Sequence, residues 1–124
     1  MKKLKLTTKQ GDRAMSRLVR ERDPYCFFCR QRPSIQNSHF WGRGNSATRY
    51  DFENCDGVCG GCHMDNEGSK QGYYRDLKIK QLGKEKYDSL ERRGRSVMKR
   101  EIALKTFQNY LEVNYKDRIK ALIK

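Results

Sequence analysis

The chain has 124 residues, room for one domain of ordinary size with a few added helices and too little for a second independent core. Only 35% of its residues are hydrophobic and 35% are charged, so apolar burial is thin and a bound metal would supply stability that the core lacks. The excess of 28 Lys+Arg over 15 Asp+Glu gives a net charge of +13, which favours polyanions through phosphate contacts and counterion release, the alternative being a merely soluble, highly charged surface.

Residues 7–21 read as a helix, with Thr7 or Thr8 as its cap and Met15, Leu18 and Val19 on one face at i, i+3, i+4. Asp23-Pro24 ends it. From Tyr25 to Cys62 the pattern changes to cysteine pairs, glycines and short apolar pieces such as Ile35 and Phe40-Trp41, which predicts loops and a hairpin that need a crosslink to hold a shape. A helix is expected from about Cys62, with a break at Gly68 to Gly72, continuing through Tyr73, Tyr74 and Leu77 to a stop at Gly83. Residues 84–93 form a short basic helix carrying Tyr87 and Leu90, which Gly94 ends. Residues 97–123 read as the clearest helix, with Leu104, Phe107, Leu111, Tyr115, Ile119 and Leu122 as an apolar stripe that packs on the domain or on a second copy. Glu101 with Lys105 and Glu112 with Lys116 are expected i, i+4 pairs.

Cys26-Phe-Phe-Cys29 and Cys59-Gly-Gly-Cys62 are two C-x-x-C pairs separated by 29 residues. Four thiolates suit a tetrahedral zinc ion, and each two-residue spacer lets both sulfurs of a pair reach one metal. A redox pair or an iron–sulfur cluster is the competing reading. A four-sulfur zinc site has no open position, so it holds structure, and chemistry must use other residues. The fifth cysteine, Cys55, is expected to be a small buried residue on a strand. An odd number of cysteines without a secretion signal argues against disulfides, and no stretch nears the roughly 20 apolar residues that span a bilayer. A cytoplasmic protein with no membrane partner is expected.

The only two histidines lie in or against this framework, His39 between the pairs and His63 directly after the last cysteine. Each alone reads equally well as a packing or solvated histidine. The order His39, Asn54, His63, enclosed by the two cysteine pairs, resembles the HNH endonuclease motif in its zinc-supported form, over about residues 24–66. Outside that core, Met15-Ser-Arg-Leu-Val-Arg-Glu-Arg-Asp23 and Ser38-His-Phe-Trp-Gly-Arg-Gly-Asn-Ser-Ala-Thr-Arg-Tyr50 are similar to segments of the NinG (Rap) recombination nucleases of lambda-like phages, as is Tyr74-Arg75 followed by Leu82-Gly83 and a charged helical tail.

The resemblance implies an α+β chain: a basic N-terminal helix (1–24), a zinc-supported ββα-metal, treble-clef-like HNH core (25–82) and a C-terminal helical extension (83–124). It further implies a DNA endonuclease acting on branched or recombination-intermediate DNA in a phage or prophage context, hence in the bacterial host cell. His39 is the expected general base, Asn54 the residue that fixes its orientation, and His63 the ligand of a catalytic Mg2+ or Mn2+, beside a structural Zn2+. Where many HNH enzymes carry an acidic residue or a histidine before the base, as a second metal ligand, this chain has Ser38; Asp56, Asp65, Asn37 or water are the candidates to supply the missing oxygen. Arg43, Arg49, Lys70, Arg75, Lys78 and Lys80 are the basic residues nearest these motifs and the candidates for holding DNA phosphates. The competing readings are a non-catalytic zinc-containing DNA-binding module, which Ser38 favours, and a protein-interaction zinc module dimerising through the C-terminal helix.

Overall fold

Thr7 starts the first helix through a capping box: its hydroxyl accepts from the Gln10 N–H at 3.1 Å, and the Gln10 side chain accepts from the Thr7 N–H at 3.0 Å. In the computed structural model, which describes residues 4–66 and 71–124, this helix is α1 (Thr8–Arg22). It buries Ala14, Met15, Leu18 and Val19 and stops at Asp23, where Pro24 disfavours helical backbone.

Next come β1 (Gln36–His39), α2 (Ser46–Arg49), a 3-10 turn (Phe52–Asn54) and β2 (Cys55–Val58). The strands pair antiparallel, Gln36 with Val58, Asn37 with Gly57, Ser38 with Asp56 and His39 with Cys55. Alternation along a strand then sorts the side chains. His39, Asn37 and Cys55 belong to the face on α1, whereas Ser38, Asp56 and Val58 belong to the other. The rest is helical: α3 (Gly60–Asn66), α4 (Gln71–Leu82), α5 (Lys84–Arg95), α6 (Arg100–Asn114), a 3-10 turn (Lys116–Arg118) and α7 (Ile119–Leu122). The expected break at 68–72 falls largely outside the described residues.

Two apolar clusters flank the hairpin. One joins α1 to Cys55, Phe107, Leu111, Ile119 and Leu122, with Tyr50 stacked on Phe107 at 5.0 Å. The other joins Phe27, Val58 and Tyr74 with the cysteines, Phe28, Phe40 and Leu77. The N- and C-terminal helices therefore share one core, and the C-terminal stripe packs on the chain itself.

Three expectations need correction. The helix over 97–123 is not continuous: the backbone leaves the helix at Tyr115 (φ −138°, ψ 35°) and resumes as α7. A straight helix of that length would run roughly 40 Å against about 22 Å for α1; the bend returns Ile119 and Leu122 to α1, where Arg17 donates to the carbonyls of Ala121 and Lys124. It also separates Lys116 from Glu112, which instead accepts from Gln108 at 3.0 Å, and among the described residues Glu101 and Lys105 form no ion pair. Finally, Gly94 does not end α5, which runs on to Arg95. It lies under the indole of Trp41, and a methyl group there would overlap the ring. Gly83, with φ +85°, does stop α4.

Candidate metal centre and nuclease site

The first cysteine pair sits in a turn in which the Arg30 N–H bonds the Cys26 carbonyl at 2.8 Å and the Cys26 N–H bonds the Arg32 carbonyl at 2.8 Å. Arg30 adopts a left-handed conformation, φ 58°, a place that favours glycine. The second pair runs into the first turn of α3, where the His63 N–H bonds the Cys59 carbonyl at 3.0 Å and the Cys62 N–H points at the Cys59 sulfur at 3.4 Å. The four sulfurs of Cys26, Cys29, Cys59 and Cys62 lie within 4.8 Å of one another. Zn–S bonds of about 2.3 Å in a tetrahedron need sulfurs roughly 3.8 Å apart, so the set can hold a zinc ion with small adjustments.

The four sulfurs differ in their surroundings. Backbone N–H groups of Gln31 and Arg32 pull the Cys29 thiol down to about 6, and the Cys62 N–H lowers Cys59. Burial, together with the other sulfurs, pushes Cys62 up to about 12. Four thiolates this close need a positive partner. Cys55 is apart from them, fully buried on β2, with its thiol pushed up by desolvation as expected of an inert cysteine.

His39 ends β1 and lines a cavity of about 250 Å3 with Asp12, Ser16, Gln36, Asn37 and Arg43. Its Nε2 lies 3.2 Å from the Arg49 carbonyl. A carbonyl only accepts, so in the neutral ring Nε2 carries the proton and Nδ1 is left as the basic nitrogen. Burial, with Arg43 and Arg49 nearby, holds the imidazole down at about 4 despite the Arg49 carbonyl, so the ring is neutral at pH 7.

Asn54 is buried, and its amide spans the loop between the strands. Its oxygen accepts from the Trp41 N–H at 2.7 Å, and its nitrogen donates to the carbonyls of Trp41 at 3.0 Å and Thr48 at 3.1 Å. Thr48 adjoins the Arg49 carbonyl on which His39 rests. The Asp12 carboxylate grips the Arg49 guanidinium at 2.7 and 2.9 Å, a second anchor that nothing in the sequence signalled.

His63 is held differently. Its Nδ1 donates to the Gln36 side-chain oxygen at 2.7 Å, leaving Nε2 with a free lone pair. A ring nitrogen tied to an amide while the other faces outward is how metal-ligating histidines are oriented. His63 and His39 stand at opposite ends of β1, with Gln36 and His39 three residues and about 10 Å apart along the strand.

Among the described residues no second group of three ligand-type side chains forms around His63. Ser38 is buried against the Tyr74 hydroxyl. Asp56 is saturated, accepting from Tyr74 at 2.7 Å and from Gln81 at 3.2 Å and pairing with Lys78 at 3.0 Å, so it is no metal ligand. Asp65 is exposed on α3, and the Asn37 side-chain oxygen is buried without a partner. Tetrahedral sulfur chemistry suits zinc, whereas among the described residues a hard Mg2+ or Mn2+ ion finds only His63 ready and would draw further ligands from water and phosphate oxygens.

The basic candidates separate. Arg43, Arg75 and Lys80 are exposed. Lys78 is not a surface cation: its side chain is 0% exposed, paired with Asp56 and donating to the Glu53 carbonyl and to Gln81. Arg49 is likewise spent on Asp12 and on the Arg43 carbonyl. Lys70 lies outside the described residues. Among the described residues no helix is long and apolar enough to cross a membrane. Compared with known proteins, the chain matches no protein family, no curated protein and no solved structure.

Proposed function

We propose that the chain is a zinc-supported HNH-type endonuclease that hydrolyses DNA phosphodiester bonds, its substrate being branched or recombination-intermediate DNA in a phage or prophage setting. The observation that carries the reading is the setting of His39: a half-buried imidazole whose Nε2 is pinned to the Arg49 carbonyl, which leaves Nδ1 as the free nitrogen, in a residue that lines a polar cavity. A neutral imidazole with one nitrogen free has the lone pair that taking a proton from water requires, although burial that holds it at about 4 makes it a weaker base than a free imidazole. A cysteine turn, a β-hairpin and a helix starting in the second cysteine pair are also the parts of a treble-clef-like ββα-metal core.

In this reading the four cysteines hold Zn2+ as a scaffold. Asn54 and Asp12 fix the backbone and side chain around Arg49 and so position the base. His63 offers Nε2 to a Mg2+ or Mn2+ ion, which when bound neutralises charge on the phosphate and the leaving oxygen. Arg43, at the same cavity, holds a phosphate oxygen, and Arg75 and Lys80 hold the backbone farther away.

Two observations favour a second reading, a zinc-containing DNA-binding module without catalysis: Ser38 turns to Tyr74, and among the described residues no group of three ligand-type side chains includes His63. Incubating the zinc-loaded protein with plasmid and branched DNA over a range of Mg2+ and Mn2+ separates the two. Cleavage supports the nuclease; binding that weakens steeply with salt and never leads to cutting supports the module.

A further inference from the structure

The geometry points to a site for one unpaired nucleotide of a DNA strand in the groove beside the first cysteine pair, with Tyr25 as its stacking platform. This rests on the nucleic-acid reading and deepens it. The groove runs between that turn and α4, encloses about 870 Å3 and has Pro24, Phe27 and Leu77 among its apolar walls. Its size falls within the roughly 300–1,000 Å3 of small-ligand sites.

Tyr25, at its edge, is 62% exposed although its neighbours Cys26 and Phe27 are buried. A flat ring left in water beside an apolar wall is what a base stacks on. Arg30 and Lys80 line the same groove and have no carboxylate partner among the described residues. The groove's one carboxylate, Asp23, is already bound by Arg22 at 2.7 and 2.9 Å and by the Gly57 N–H at 2.9 Å, so it does not oppose a phosphate unscreened. Arg30 sits in a left-handed conformation that glycine would take without strain, so an arginine here carries a backbone cost.

A nucleotide enters only where its base is unstacked, at a flap, a junction or a single strand, and a closed duplex does not fit. The test is equilibrium binding by the full zinc-loaded chain, carrying His39→Ala and without added Mg2+ or Mn2+, to a flap oligonucleotide with 2-aminopurine in the unpaired arm and to a blunt duplex of equal length. Tyr25→Ala should lower flap affinity about 5- to 150-fold, the worth of one base stacked on an aromatic ring, and abolish 2-aminopurine quenching. Duplex affinity should not change, and Tyr25→Phe should restore the flap. Arg30→Gly guards against misfolding as the cause: it should raise thermal stability while reducing the salt slope for the flap by about 0.7, one phosphate contact on a single strand. Because nothing is cut, an inactive parent would sink the nuclease reading and leave this result standing. Equal loss on flap and duplex, or an unchanged flap affinity in Tyr25→Ala, overturns the site.

Discussion

Replacing Lys78 by methionine keeps an unbranched apolar stem and removes the terminal ammonium. The ammonium lies 3.0 Å from the Asp56 carboxylate, and both side chains are 0% exposed. Breaking such a pair from one side leaves a buried charge uncompensated, at a cost of about 3–5 kcal/mol. Asp56 keeps its bonds from Tyr74 and Gln81 and an Arg22 guanidinium at 3.9 Å, which places the loss near the lower end, about 3 kcal/mol. For a chain of this size that is a fall in Tm of roughly 10–15 °C. Urea and thermal unfolding of the zinc-loaded protein measure it. Asp56→Asn with Lys78→Met should recover much of the loss, because the stranded charge is gone. If Lys78→Met costs less than about 1 kcal/mol, or if it weakens DNA binding without touching stability, the lysine is a surface cation after all and the buried pair is refuted.

Metal analysis should find one zinc per chain, and chelation or Cys59→Ala should unfold the cysteine turn and hairpin; natively purified protein with no zinc, or full folding of the variant, would count against the centre. His39 should make stability depend on pH: its folded value of about 4 lies below the ordinary 6.5, so the unfolded chain takes up the proton first. That contribution is fully present above about pH 6.5 and is lost as pH falls through about 4, at most roughly 3 kcal/mol, and His39→Gln should flatten the window in chemical unfolding at stepped pH. Gly94→Ala would normally gain about 1 kcal/mol inside a helix, yet overlap with Trp41 should turn this into a loss of about 1–3 kcal/mol with a shift in the fluorescence of the single tryptophan; a raised Tm would show that the ring does not pack there.

Local chemistry was legible and long-range contact was not. The two C-x-x-C spacings set their own metal geometry, and Thr7 with Gln10 announces a capped helix within four residues. Asn54, too, could be expected to fasten the loop it closes, since its partners lie six and thirteen residues away. By contrast, a lysine bound for Asp56, 22 residues distant, looks in sequence like any other lysine in a basic chain. Gly94 resembles a helix stop until Trp41, far back in the chain, is seen to lie across it. The bend at Tyr115 returns Ile119 and Leu122 to α1, a long-range contact that the periodicity of the C-terminal stripe does not record. Gln36 and Asp12, which orient His63 and the Arg49 beside His39, are ordinary polar residues with no motif of their own.

The most direct test of the nuclease account is single-turnover cleavage of branched DNA in Mg2+ and Mn2+ by the parent, His39→Ala and His63→Ala, at matched DNA occupancy and zinc content. The account predicts that His39→Ala binds as the parent does and cuts in neither metal, while His63→Ala loses cleavage in Mg2+ and regains part of it at high Mn2+. A parent that binds and never cuts, or a His39→Ala variant that cuts at the parental rate, contradicts it.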